Sequence, residues 1–286
     1  MTAGFAPAQS ALWAVIGDAA VRLAGAGVPS PRHDAEELAA HCLGLRRARL
    51  QAAPFFSAEQ FATFSAMVAR RELREPLQHI LGTAPFRHLE LAVGPGVFIP
   101  RPETEVLVDA VLAAATQGAL VVDLCAGSGA IALSIAHERP DTVVHAVERD
   151  EAAFAWLARN AAAAGGTVSV HLADAADALA ALDGAVDVVA SNPPYLPDGL
   201  SLEPEVAAFD PAVALWGGTD GLDMVRVVSA AAARLLRPGG FLAIEHDDTH
   251  GVEAPALLAA TDHWTDIADH NDFTGRPRFV TARRAG

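Results

Sequence analysis

Ser191-Asn192-Pro193-Pro194-Tyr195 directly follows the apolar run Asp187-Val188-Val189-Ala190, so it sits where a buried strand gives way to a loop. Asn192 offers a side-chain carbonyl acceptor. Pro193 has no N–H, and its backbone carbonyl can turn into the same space as a second acceptor. Two acceptors about 3 Å from one nitrogen suit a planar NH₂ group, an amide or a base amine, which donates two hydrogen bonds. Pro194 stiffens the loop, and Tyr195 supplies a flat face for stacking. An amide nitrogen is a poor nucleophile because its lone pair is delocalised into the carbonyl. Hydrogen bonds from both its protons raise electron density on nitrogen and aim it, so that positioning rather than a strong base carries an in-line displacement. A plain proline-rich turn is the bland alternative.

A second cluster lies upstream. Asp123-Leu124-Cys125-Ala126-Gly127-Ser128-Gly129 reads as a strand end and a tight turn of small residues before a helix, where Gly127 and Gly129 let a ligand approach the backbone. Glu148 ends the next apolar run, 19 residues beyond Gly129, where a carboxylate can accept both hydroxyls of a ribose. Asp174 follows the third, placed to receive an adenine amine. S-adenosylmethionine and NAD both fit this turn, since Gly127-x-Gly129-x-x-Ala132 also meets the dinucleotide pattern. A glycine turn needed only for packing is the third reading. Against NAD, the chain has no Tyr-x-x-x-Lys constellation and no lysine at all.

Strands and helices must hold these groups at one edge. Strands are predicted over Leu120–Leu124, 143–147, Val168–Leu172, Val186–Ser191, 241–245 and 278–282. Helices are predicted over Ala130–Glu138, Glu151–Ala163, 220–236 and 252–260. Val-rich runs alternating with helices indicate an α/β fold with a mostly parallel sheet covered on both faces, its last strands bringing an antiparallel member. Residues 1–84 read as a separate all-helical module. It has an apolar helix over 11–23, a Ser30-Pro31 start followed by Asp34, Glu36 and Glu37, and a Ser57-Ala58-Glu59-Gln60 capping box. Between them, residues 85–105 read as a β-hairpin linker: 89–93 pairs with 97–99 around Gly94-Pro95-Gly96, and a helix starts at Glu103. The catalytic domain then spans 106–286.

Composition narrows the partners. The 286 residues carry a net charge of −15, split between +1 over residues 1–85 and −16 over 86–286. An acidic main body disfavours a phosphate-backbone surface, so stable nucleic-acid binding is not expected. Despite a positive mean hydropathy, no apolar run approaches the roughly 18 residues of a membrane span. No arginine precedes Arg22, and Cys42 and Cys125 are too few for a disulfide framework. A cytoplasmic, monomeric protein is expected. His246-Asp247-Asp248-Thr249-His250 is read as a polar loop rather than a metal cluster, Asp220 and Asp223 as helix-starting acids, and Trp216 as core by default, with a surface anchor for a partner as the alternative. Cys125 has no visible partner base for a nucleophile's role. Arg101 and Thr104 either line the site or cap the helix after them.

With these residues in place, the chain resembles the peptide chain release factor glutamine methyltransferases, the HemK/PrmC family. The likeness runs through Pro31-Arg32-His33-Asp34-Ala35-Glu36, Gln78-His79-Ile80-Leu81-Gly82 and Phe98-Ile99-Pro100-Arg101-Pro102-Glu103-Thr104-Glu105. It continues through the glycine turn, Ser191 to Tyr195, and Gly217-Gly218-Thr219-Asp220-Gly221-Leu222. The resemblance implies a class I, Rossmann-like methyltransferase with S-adenosylmethionine as donor and a class I release factor as partner. The acceptor it implies is the glutamine of that factor's Gly-Gly-Gln loop. It puts the donor contacts on Cys125, Ala126, Gly127, Ser128 and Gly129, the ribose contact on Glu148, and the glutamine clamp on Asn192 to Tyr195. Asp123, Asp174, Ala175, Asn192, Arg101 and Thr104 complete the expected donor site, and Asn192, Pro193 and Tyr195 the reacting centre. Cys125 stands where many members carry glycine, and Ala175 where some carry an aromatic over the adenine. Sister activities on a ribosomal-protein glutamine or a nucleic-acid amine share the Asn-Pro-Pro-Tyr motif.

Overall fold

A computed structural model describes residues 6–286, with side chains from residue 11 onward. The chain divides into two units, one of residues 1–82 with 203–209, the other of 83–202 with 210–286.

The first unit holds α1 (Ala6–Gly25), α2 (Pro31–Leu43), α3 (Ala58–Glu72) and α4 (Leu77–Leu81) around Leu12, Ile16, Leu38, Phe64 and Val68. Ser57 and Gln60 form the capping box reciprocally, at 3.1 and 2.9 Å. Ser30 starts α2 without a side-chain cap; its carbonyl accepts from Asp34 N–H, and Pro31 occupies the first turn. Asp34 is more than a first-turn acid. Its Oδ2 accepts from Nε of the buried Arg71 at 2.8 Å, while Arg71 Nη2 reaches Glu205 of the returning segment at 2.9 Å. Each buried charge thus has a partner, as burial requires.

The second unit opens with β1 (Thr83–Phe86) and β2 (Leu89–Ala92), an antiparallel pair turning at Arg87-His88. This corrects the predicted hairpin, which lay further along the chain around Gly94-Pro95-Gly96. The apolar alternation in 93–99 reports burial, not pairing. Val93, Val97 and Ile99 pack on Ala153, and Trp156 donates to Pro95 O at 3.2 Å. Asn160 ends the ladder by taking the place of a strand: its amide accepts from Ala92 N–H (2.8 Å) and donates to Ala92 O (3.0 Å). Likewise α5 (Glu105–Ala114) begins two residues later than predicted, because Pro102-Glu103-Thr104 forms a 3₁₀ turn.

The chain then alternates β3 (Leu120–Leu124), α6 (Ala130–Glu138), β4 (Val143–Glu148), α7 (Glu151–Ala163), β5 (Val168–Leu172) and β6 (Val186–Ser191). After the short α8 (Pro204–Phe209) come α9 (Asp223–Leu235), β7 (Leu236–Glu245), α10 (Glu253–Ala259), β8 (Trp264–Asn271) and β9 (Pro277–Arg284). The seven strands lie in the order β5-β4-β3-β6-β7-β9-β8. The first five are parallel, and β9 and β8 are antiparallel to their neighbours. Two apolar clusters cover the sheet, as the unbroken Val-rich strands require. β8 escapes sequence reading because it is an edge strand, Trp-Thr-Asp-Ile-Ala-Asp-His-Asn, whose only buried side chain is Trp264. Asp220 precedes α9 rather than opening it, and chelates Arg226 instead. Among the described residues, no helix is long and apolar enough to cross a membrane.

Candidate active site

The strand order reverses at β3: β4 and β5 lie to one side, β6 and β7 to the other. Such a switch point opens a crevice at the carboxyl ends of the strands. Register then fixes what lines it. Leu124 pairs with Val147 and with Ser191, and Ser191 with Ile244. The next residues, Cys125, Glu148, Asn192 and Glu245, therefore share one row across the carboxyl edge. Ser191 ties two strand ends, its hydroxyl donating to Leu124 O at 2.6 Å.

On the first side, the turn after β3 is shaped by backbone. Cys125 (φ 62°), Gly127 (φ 56°) and Gly129 (φ 89°) are all left-handed. At Gly129 a Cβ would also meet Leu157 at 2.8 Å and Leu133 at 2.9 Å, so the residue type is forced by both conformation and packing. At Gly127 a Cβ would face open space, the room a ligand needs. Glu148, almost fully buried, accepts from Gly127 N–H (2.9 Å) and Asp150 N–H (2.8 Å). It stiffens the turn while still offering lone pairs to a hydroxyl. Asn160 Nδ2 donates to Ser128 O at 2.9 Å from behind. Ala126 donates its N–H to Val147 O at 3.0 Å.

Asp174 is half exposed, with Arg149 3.7 Å away, and both border an open depression of ≈ 440 Å³ with Asp150 and Val213. Ala175 is buried beside it and offers no stacking ring. Asp123 departs from its expected place. It has no exposed surface, and its Oδ2 accepts from Ala132 N–H (3.0 Å), satisfying a donor in the first turn of α6. Its Oδ1 has no hydrogen-bond partner among the described residues, and burial pushes its carboxyl up to about 8. Cys125 is no nucleophile, since desolvation beside Glu148 pushes its thiol up to about 12.

On the second side, side chains do the shaping. Pro193 and Pro194 are buried, Asn192 and Tyr195 half-buried. Asn192 Nδ2 donates to Thr104 Oγ1 at 3.2 Å, which leaves Oδ1 as the end able to accept. Thr104 is buried and makes no side-chain cap to α5, so its hydroxyl belongs to the site. Arg101 instead pairs with Asp210 at 2.8 Å and lies over the Phe98 ring. The loop's exit is pinned to Leu215-Trp216-Gly217-Gly218 by Leu196 N–H to Leu215 O (2.8 Å) and Gly217 N–H to Leu196 O (2.9 Å). A Cβ on Gly217 would fall 2.8 Å from Pro194 O, and one on Gly221 2.4 Å from Tyr195 O. That close approach is what the Gly-Gly-x-x-Gly spacing serves.

Sequence reasoning missed Glu245. It is fully buried at the end of β7 and accepts from the Tyr195 hydroxyl at 3.1 Å. Its only sequence signal was a carboxylate closing an otherwise apolar strand. His246, next along, bonds Asp269 at 2.8 Å, and Asp247 caps Thr249. Among the described residues, no group of three or more His, Cys, Asp or Glu side chains is arranged to hold a metal.

Residues 14–82 match the PrmC N-terminal domain family and residues 90–208 the methyltransferase small domain family. A protein of Streptomyces coelicolor named release factor glutamine methyltransferase is 51% identical, over 96% of this chain and 98% of its own length. One of the same name from Mycolicibacterium smegmatis is 52% identical, over 93% and 95%. A crystal structure of a methyltransferase from Pyrococcus furiosus shares the fold, with a TM-score of 0.54 at 16% identity, covering 80% of this chain and all of that one.

Proposed function

This chain belongs to the family of release factor glutamine methyltransferases, and from that premise we propose what its residues do. The enzyme transfers a methyl group from S-adenosylmethionine to the side-chain amide nitrogen of a glutamine, the one in the Gly-Gly-Gln loop of class I peptide chain release factors. The observation that carries the acceptor class is the polarity of Asn192. With Nδ2 spent on Thr104, its Oδ1 is the end left to accept a hydrogen bond.

The donor brings an electrophilic methyl on a sulfonium; the chain's residues supply placement. The turn Cys125 to Gly129 and Glu148 hold the donor, with open space over Gly127 and carboxylate lone pairs for the ribose hydroxyls. Asp174 receives the adenine amine, with a depression beside it for the base. Asp123 acts beneath the turn as a strut. Asn192 and Pro193 accept the two amide protons of the glutamine, weakening delocalisation of the nitrogen lone pair. Tyr195 packs against the amide plane, and Pro194 keeps the loop stiff. Displacement needs no strong base at the outset, because the nitrogen becomes acidic only as positive charge builds on it, and the proton it then loses passes to bulk water.

The helical module docks the protein substrate. The acidic charge of residues 86–286 supports an enzyme that holds no nucleic acid stably. The test is labelled methyl transfer to purified release factor, wild type and with its loop glutamine changed to alanine, beside a ribosomal-protein control. Label in the wild-type factor alone, lost with Asn192→Ala enzyme, supports the reading. Label only in the ribosomal protein or in RNA overturns the substrate and leaves the donor standing.

A further inference from the structure

Behind the clamp lies a buried acid that the transfer reaction as described does not use. Glu245 has no exposed surface and closes the apolar run Phe241-Leu242-Ala243-Ile244 of β7. Register sets it one strand from the clamp, since Ser191 pairs with Ile244. Its Oε1 accepts from the Tyr195 hydroxyl at 3.1 Å, and its Oε2 has no hydrogen-bond partner among the described residues. Arg278, which flanks its β9 partner Phe279, is instead paired with Asp272 at 3.1 Å. A carboxyl buried on such terms costs stability, and an apolar side chain at this strand end would not. What the carboxyl holds in return is the Tyr195 hydroxyl.

That bond ties down a ring that is already fixed at its other end. Pro194 precedes Tyr195, and after it Leu196 N–H donates to Leu215 O at 2.8 Å while Leu196 O accepts from Gly217 N–H at 2.9 Å. With the main chain held on one side and the hydroxyl on the other, the ring cannot swing about its first side-chain bond. Its tilt is set too. A phenolic O–H lies in the ring plane, because the oxygen lone pair is conjugated with the ring, and a hydrogen bond is strongest when the donor points at its acceptor. Only the half-turn that exchanges the two equivalent faces remains.

We propose that Glu245 is a positioning residue for methyl transfer: by accepting the hydrogen bond of the Tyr195 hydroxyl, it fixes the direction and plane of the ring against which the acceptor amide lies. The role rests on the clamp reading above, in which Tyr195 packs on that amide.

The test uses the full chain and whichever protein acceptor the wild type labels. Tyr195→Phe keeps the ring and removes its anchor; Glu245→Met keeps the hydroxyl and removes its acceptor. Each is expected to lower kcat at least fivefold, with affinity for S-adenosylmethionine within twofold of wild type. Glu245→Gln still offers the hydroxyl an oxygen and retains at least a third of wild-type kcat. The Tyr195→Phe/Glu245→Met double variant is no slower than Tyr195→Phe alone, because both remove one bond. Tyr195 is the single tyrosine of the chain, so carbon-13 at tyrosine Cζ gives one resonance and a readout free of activity. It is expected to move in Glu245→Met and to lie near its wild-type position in Glu245→Gln. Wild-type kcat in Tyr195→Phe or Glu245→Met, multiplicative losses in the double variant, or an unmoved resonance in Glu245→Met overturns the anchor. Donor affinity falling in step with kcat also overturns it, showing mere loosening. Tyr195→Ala separates this role from the clamp. Slow transfer there beside wild-type rates in Tyr195→Phe sinks the anchor alone, whereas wild-type transfer in Tyr195→Ala sinks the stacking that it serves.

Discussion

The two flanks of β3 shape the proposed site in opposite ways. On the β4 side the binding surface is backbone: three left-handed residues within five positions, N–H groups gathered on Glu148, and a glycine against which Leu157 and Leu133 close. On the β6 side it is a set of side chains whose hydrogen bonds have direction, from Asn192 to Thr104 and from Tyr195 to Glu245. A backbone turn is set by local conformation and resists substitution through strain. Side-chain hydrogen bonds between residues far apart in sequence are set by distant strands and fail through polarity. The first suits a ligand that must be held, the second a nitrogen that must be aimed.

The sharpest break should come on the aiming side. Asn192→Ala removes one of two acceptors and is expected to cut kcat by about 10²–10³ while leaving donor affinity within a few-fold, as equilibrium titration would show. If donor affinity collapses as well, the two flanks are not separable. On the holding side, Glu148→Ala removes an acceptor from two backbone N–H groups and is expected to weaken donor binding by about tenfold to a hundredfold. With saturating donor, its kcat should recover to near wild type. Gly129→Ala meets both strain and contact, and should lower stability by about 1–3 kcal/mol in a denaturant titration. A neutral result would mean that Leu133 and Leu157 retreat freely.

Acidity sets a smaller contrast across the same line. Burial raises Asp123 to about 8 on one flank and Glu245 to about 7 on the other. Their folded-state values lie above the roughly 4 of an unfolded carboxyl, so the folded chain binds these protons more tightly. The stability this gives is complete below pH about 4 and is lost as pH rises through about 7 for Glu245 and about 8 for Asp123. Melting temperature should therefore fall between pH 5 and 8.5, with a shallower slope in both Asp123→Asn and Glu245→Gln. The mildest change is Cys125→Gly. It relieves a left-handed non-glycine residue and removes a thiol whose raised pKa keeps it inert. Transfer should stay within twofold and stability within about 1 kcal/mol.

Much of this could be read from the chain. Strand runs such as Val186–Ser191 announce themselves by unbroken apolar character, and the glycine turn and Asn-Pro-Pro-Tyr each fall at a strand's end. These are local facts: side-chain type dictates burial, and glycine or proline dictates the turn. The Ser57 capping box was likewise legible because both partners lie within four residues. What 93–99 would pair with was not legible, since alternation marks a buried face without naming the neighbour, and α7 took the place of a strand. Nor was β8, a polar edge strand with little to bury.

The residue types themselves thus pointed to a donor turn and an amide clamp, and set both motifs at strand ends. Only the tertiary structure decided that Thr104, 88 positions before Asn192, meets Asn192, and that Glu245, 50 after Tyr195, meets Tyr195. The order and register of strands set those distances, and register is a property of the packed sheet, not of any one segment.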